Sequence, residues 1–217
     1  MPTRKKPTPE DSLGLERIVF FSDAVMAIAI TLLAIDLKPP SIDPSQAITE
    51  LPKLLRAMSP SFMTFFISFV VIGIYWISHH RYFGYMRNYD TRLMLLNLVF
   101  LFFIVCMPFL ANLLGQYGSV PIVLIMYTLA IAALAVSMAL IWWYATRKHL
   151  IAEELDAHSI RMINIRLYAS PIMFLVAIPF AYVSSAAVIT IWWLSPLLVL
   201  AAMRIFGRQA ESGKAKR

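Results

Sequence analysis

An all-α, polytopic membrane protein with six transmembrane helices is the fold class this chain predicts, and three features of the sequence carry that expectation. Of its 217 residues 60% are apolar and 14% charged, with a mean hydropathy of +0.72, a balance that a water-soluble domain of this size does not show. The apolar residues gather into six runs, each long enough to cross a bilayer at ~1.5 Å of rise per residue. The basic residues, in turn, collect at one end of those runs.

The runs lie at 17–37, 60–82, 92–114, 120–146, 165–183 and 185–206 and make a single membrane domain over 1–217. The first is read as a retained helix and not a cleaved leader, because a polar stretch separates "MPTRKK" from an apolar run of full spanning length. "KPPSIDPSQ", "GQYGS" and "YVSSA" supply turn chemistry between runs. Pro108, Pro171, Pro179 and Pro196 fall inside runs, where a bundle tolerates them, and kinks are expected there. The fourth and fifth runs are joined by residues 147–166, a charged amphipathic stretch expected to extend as helix along or beyond the cytoplasmic surface.

Six spans place sixteen of the 19 Lys and Arg residues on one side and three on the other. That bias puts both termini in the cytoplasm and the chain in a cell membrane. The same placement accounts for the net charge of +7 as helix orientation, so nucleic acid is not an expected partner, whereas membrane lipid is. Cys106 is the single cysteine, which excludes an intrachain disulfide. His79 and His80 are adjacent and diverge by ~100° on a helix, with no further ligand at metal-binding spacing, so no metal and no cofactor is expected. Ser22 with a histidine is the sole intramembrane candidate for a nucleophile and base. It lacks an elbow motif and a second carboxylate, and the chain is not expected to be an enzyme.

The first run poses the main physical problem. Phe21, Ala24, Ile28, Leu32 and Ile35 form one helical stripe, and Ser22 and Asp23 turn away from it. An ionisable residue exposed to lipid costs at least ~2.5 to 3.5 kcal/mol, so Asp23 must face protein or water. Trp76 and His80, one turn apart near the end of the second run with His79 beside them, and Asn97 in the third offer an indole N–H, an imidazole and an amide that could each donate to it. They equally suit an ordinary belt of anchors at the membrane boundary. Arg17 likewise suits a residue that snorkels to the surface.

Arg17, Phe21, Ser22 and Asp23 stand as R-x-x-x-F-S-D, followed by "AVMAIAITLL" and later by W-x-x-H-H-R. This pattern resembles the transmembrane protein 175 family of potassium-permeable channels, and the six-run layout covers essentially the whole chain. The family lacks the glycine-rich potassium filter, and no "TVGYG" occurs here. The resemblance implies the bacterial six-helix form, a homotetramer in which the first helix of each subunit lines a pore permeable to potassium and other monovalent cations. It implies a constriction at Ile28, further apolar rings at Leu32 and Ile35, and Thr31 on the flank of the stripe. It assigns Ser22 and Asp23 to an interhelical network with Trp76, His80 and Asn97 and puts Arg17 at its cytoplasmic end. The selectivity implied for potassium over sodium is modest. A secondary transporter, or a proton-permeable channel of the same architecture, is the alternative reading.

Overall fold

The computed structural model describes residues 9–152 and 155–194. Among them the chain is helical, in the order α1 (Pro9–Ile35), a 3-10 turn (Pro44–Gln46), α2 (Ala47–Ala57), α3 (Ser59–Gly84), α4 (Thr91–Tyr117), α5 (Pro121–Arg147) and α6 (Ala157–Ala177). A second 3-10 turn, Ile178–Tyr182, follows α6, and a further apolar helix, α7, runs over Ser185–Leu194. Five of these elements are long and apolar enough to cross a membrane: α1 from Ser12, α3, α4, α5, and α6 with its 3-10 continuation. Of the sixth expected run, only its beginning lies within the described residues.

Local chemistry sets the helix ends. The Asp90 side chain accepts from the Leu93 N–H at 2.8 Å and caps α4, and Asp156 accepts from Ser159 N–H at 3.3 Å and caps α6. Those bonds to Ser159 hold the exposed Asp156 carboxyl below the usual carboxylate range. Proline stands in the first turns of α3 and α5, where its missing N–H leaves no bond unmade. Pro108 and Pro171 lie within unbroken α4 and α6, while at Pro179 the α-helix passes into the 3-10 turn. Pro196 lies outside the described residues.

Two connectors differ from the sequence reading. Residues 38–59 are not only turns, since they build α2 with apolar Ile48, Leu51 and Leu55 on one face and a Lys53 to Glu50 ion pair of 2.9 Å on the other. Asp43 starts this segment, and the Ser45 hydroxyl and backbone N–H hold its carboxyl below the ordinary range. The stretch 147–166 is not one helical extension. The chain leaves α5 at Arg147, crosses His149 with φ of 54°, and pairs Leu150–Ala152 with Tyr85–Asn88 through Arg87 N–H to Leu150 O at 2.8 Å and Ala152 N–H to Tyr85 O at 2.8 Å. Helix α6 then begins at Ala157, about two turns before the expected run.

Helix α5 is the centre of the bundle, with Tyr127, Leu134, Ile141 and Trp142 fully enclosed. It packs on α4 and α6; α4 in turn holds α3 and α1, so α1 sits at the margin against α4 and α3. At the basic end, Tyr144 donates to Asp90 at 2.6 Å and Trp142 donates to Asn164 at 2.9 Å, tying α5 to the start of α4 and to α6. At the opposite end α3 and α4 approach closely at Gly115, where an added Cβ would lie 3.1 Å from the Ser61 Cα. Gly115→Val is expected to force these helices apart at ~1 to 3 kcal/mol, seen as a lowered thermal transition of the purified protein in detergent.

Candidate functional site: the polar anchor and free face of α1

Helix α1 buries Ile18, Ser22, Met26, Ala29 and Leu33, spaced four, four, three and four as one face of a helix demands. Ser22 in this apolar stripe needs partners, because a buried polar group without a hydrogen bond loses ~1 to 3 kcal/mol. Its hydroxyl donates to the Ile18 carbonyl at 2.8 Å, and its oxygen accepts from Asn97 Nδ2–H of α4 at 2.8 Å. Asn97 Oδ1 and His79 Nε2 of α3 stand 2.9 Å apart.

The direction of this chain follows from its end. A helix carbonyl can only accept, so the Ser22 hydroxyl is committed as donor and must receive from the Asn97 amide nitrogen. Asn97 Oδ1 is thereby the acceptor toward α3, and His79 carries its proton on Nε2. The His79 ring is fully buried and stacks on Phe83 at 4.1 Å and Phe100 at 5.6 Å between centroids. Its Nδ1 has no hydrogen-bond partner among the described residues.

Asp23, one position on and turned by ~100°, makes a separate tie: Trp76 Nε1–H of α3 donates to its carboxylate at 2.9 Å. Adjacent residues of α1 thus grip two elements, α4 through Ser22 and α3 through Asp23.

The structure brings together Ser22, Asp23, Trp76 and Asn97, and it places His79 where the sequence reading put His80. His80 is exposed, with its ring 6.3 Å from that of Trp76. The reason is helical phase. Ser68, Ile72, His79 and Phe83 form the buried face of α3, whereas Trp76 and His80 lie on the more exposed flank. That stripe of small and apolar residues around His79 was the available sequence signal. Arg17 makes no hydrogen bond or ion pair among the described residues; with Phe21, Tyr89 and Asn97 it borders a recess of about 440 Å³ at the basic end.

The stripe Phe21, Ala24, Ile28, Leu32 and Ile35 is uncovered in the single chain, with Ile28 59%, Leu32 40% and Ile35 65% exposed. It lies about a third of a turn from the buried face, not opposite it. Thr31 is exposed beside it and donates its hydroxyl to Ile28 O at 2.8 Å, leaving oxygen lone pairs outward. Among the described residues no three His, Cys, Asp or Glu side chains converge as metal ligands.

A family model described as the endosomal/lysosomal potassium channel TMEM175 matches residues 17–108, a span that holds every member of this cluster. The chain is 34% identical over 174 residues to a potassium channel of Streptomyces collinus, covering 78% of this chain and 83% of that protein. It is 31% identical over 172 residues to a potassium channel of Chamaesiphon minutus, covering 77% and 84%. It also superposes with a TM-score of 0.75 and 26% identity on a crystal structure titled as a lysosomal potassium-selective channel TMEM175 homolog from Chamaesiphon minutus, over 87% of this chain and 98% of that one.

Because Asn97 satisfies two partners at once, Asn97→Leu is expected to destabilise the fold more than Ser22→Ala, each by ~1 to 3 kcal/mol per orphaned group. Thermal melts of the two variants in detergent measure this, and equal losses would mean that the chain is not coupled through Asn97.

Proposed function

Since the chain belongs to the TMEM175 family of potassium channels, we propose that it is a potassium-permeable cation channel whose narrowest point is a hydrophobic constriction on α1. Four copies surround a central pore, each contributing α1 to the wall and six spans to the membrane. Both termini face the cytoplasm, in a bacterial inner membrane. Ile28 forms the constriction, with rings of Leu32 and Ile35 about 6 and 10 Å further along the axis and Thr31 hydroxyls on the flank. The supporting observation is that α1 leaves Ile28, Leu32 and Ile35 uncovered while Ser22 and Asp23 bind its rotation to α4 and α3. A span that merely faced lipid would need no such lock.

An apolar ring gates by dewetting: when narrow it excludes water and with it a hydrated ion, and slight widening restores conduction. Leucine and isoleucine offer no oxygen in place of the hydration shell. Discrimination then rests on partial dehydration, which is easier for potassium than for the smaller sodium ion, and selectivity is modest. Arg17 stands at the cytoplasmic mouth.

Potassium flux into proteoliposomes tests the reading. Ile28→Ala is expected to raise passive flux several-fold; unchanged flux would move the constriction elsewhere. Flux that saturates and demands a second ion would favour a secondary transporter, and flux carried by protons in the absence of potassium would favour the proton-permeable alternative. Asp23→Ala is expected to reduce the yield of assembled protein while the reversal potential of what assembles stays put. A stable tetramer with inverted ion preference would refute the anchoring role of Asp23.

A further inference from the structure

The recess at Arg17 belongs to the site already described, but a second cavity has no part in it. It occupies about 270 Å³ between α3, α5, α6 and α7, on the side of the bundle away from α1. Along α3 it is lined by Ile67, Val71, Ile74, Ser78 and Tyr82, one helical face that extends for ~22 Å at 1.5 Å per residue. The depth of one leaflet's hydrocarbon is only ~15 Å. Ala135 and Met138 of α5 and Phe174 of α6 form the opposite wall. The far end is closed by α7, where Trp192 packs on Tyr127 at 5.0 Å and Trp193 on Phe66 at 6.4 Å between ring centroids. Ile74 and Trp193 are exposed on the outer surface of the chain, so the cavity is reached from the side.

Its other end is charged. Arg166 of α6 lines the cavity beside Tyr82 and forms no ion pair with any carboxylate among the described residues. It lies two positions beyond Asn164, which is tied to Trp142, five residues before the basic end of α5 and so ~8 Å inside it. An arginine at this depth reaches the headgroup level with its guanidinium while its stem stays in apolar surroundings. A long narrow apolar slot with one uncompensated cation at the headgroup end matches one kind of ligand, and basic pockets between spans recognise anionic headgroups.

We infer that this cavity is a binding site for an anionic phospholipid, with one acyl chain along α3 and the headgroup phosphate on Arg166. The inference requires only that the helices sit in a bilayer, not that α1 lines a pore.

Native mass spectrometry of the full chain, released from detergent after incubation with phosphatidylglycerol or phosphatidylcholine of the same acyl chains, tests it. Wild-type protein is expected to retain phosphatidylglycerol about fivefold better, the preference one basic residue confers near an anionic lipid. Arg166→Gln is expected to abolish that preference and Arg166→Lys to keep most of it. Val71→Phe, which narrows the slot at mid-length, is expected to reduce retention of both lipids. Equal retention of the two lipids by wild type, or an undiminished preference in Arg166→Gln, overturns the proposal. Absence of lipid adducts overturns it as well and leaves a second copy of the chain as the cover for this face. Should Arg166→Gln fail to fold, Val71→Phe decides, since wild-type retention in that variant would place the lipid elsewhere.

Discussion

Everything proposed for α1 depends on a directional chain of hydrogen bonds that ends on the Ile18 carbonyl. Helix α1 is apolar on nearly every side, and in a bilayer the lipid tails solvate such a surface about as well as a neighbouring helix does. Hydrophobicity therefore sets the depth of α1 and leaves its rotation open. Ser22 and Asp23 remove that freedom. The Ser22 to Asn97 to His79 chain draws one line of α1 against α4 and α3, and the Trp76 to Asp23 bond fixes a second direction roughly 100° away. Two ties from adjacent residues specify a rotation where one would leave a hinge.

This division of labour explains what was legible in the sequence. Hydropathy is a property of each segment alone, and the runs read from it lie within three residues of α3, α4 and α5 at both ends, whereas α1 begins about two turns before its run, at Pro9. Rotation is a property of pairs, and there the sequence was ambiguous: His79 and His80 are chemically identical, and only the packing of Ile72 and Phe83 around one of them decides which joins Asn97. Helix α2 escaped notice because it contains Pro52 and follows prolines and short polar residues that read as turns, although Ile48, Leu51 and Leu55 carry a helical period. It covers no core, and Ile48 remains 92% exposed. The stretch after Arg147 misled in the opposite way. Its charge pattern is helical throughout, but the bridge between Met86 and Ile151 captures the backbone as a short extended pair, a contact no local signal announces.

Those connectors also show where the bundle is rigid. At the basic end, backbone pairing of Tyr85–Asn88 with Leu150–Ala152, the Tyr144 to Asp90 bond and the Trp142 to Asn164 bond join α3, α4, α5 and α6 through polar contacts. The anchors of α1 lie toward the same end. Beyond Asp23, the remainder of α1 is held by Met26, Ala29 and Leu33 in apolar contact, and the Thr31 hydroxyl bonds only within its own helix.

The constriction proposed at Ile28 fits that gradient. It lies six residues past Ser22, or ~9 Å along the axis, in the first part of the helix that no interhelical hydrogen bond restrains. Nearer the anchor, an apolar ring would be locked at one diameter by bonds that break only as a set. Much farther along, the direction fixed by Ser22 and Asp23 would no longer determine which side chain meets the axis. Between these limits the helix is oriented by its polar end and yields through its apolar end, where sliding one methyl past another disturbs no buried bond. A constriction that gates by wetting would need both properties at one residue, and the spacing from "FSD" to Ile28 suits the constriction proposed there.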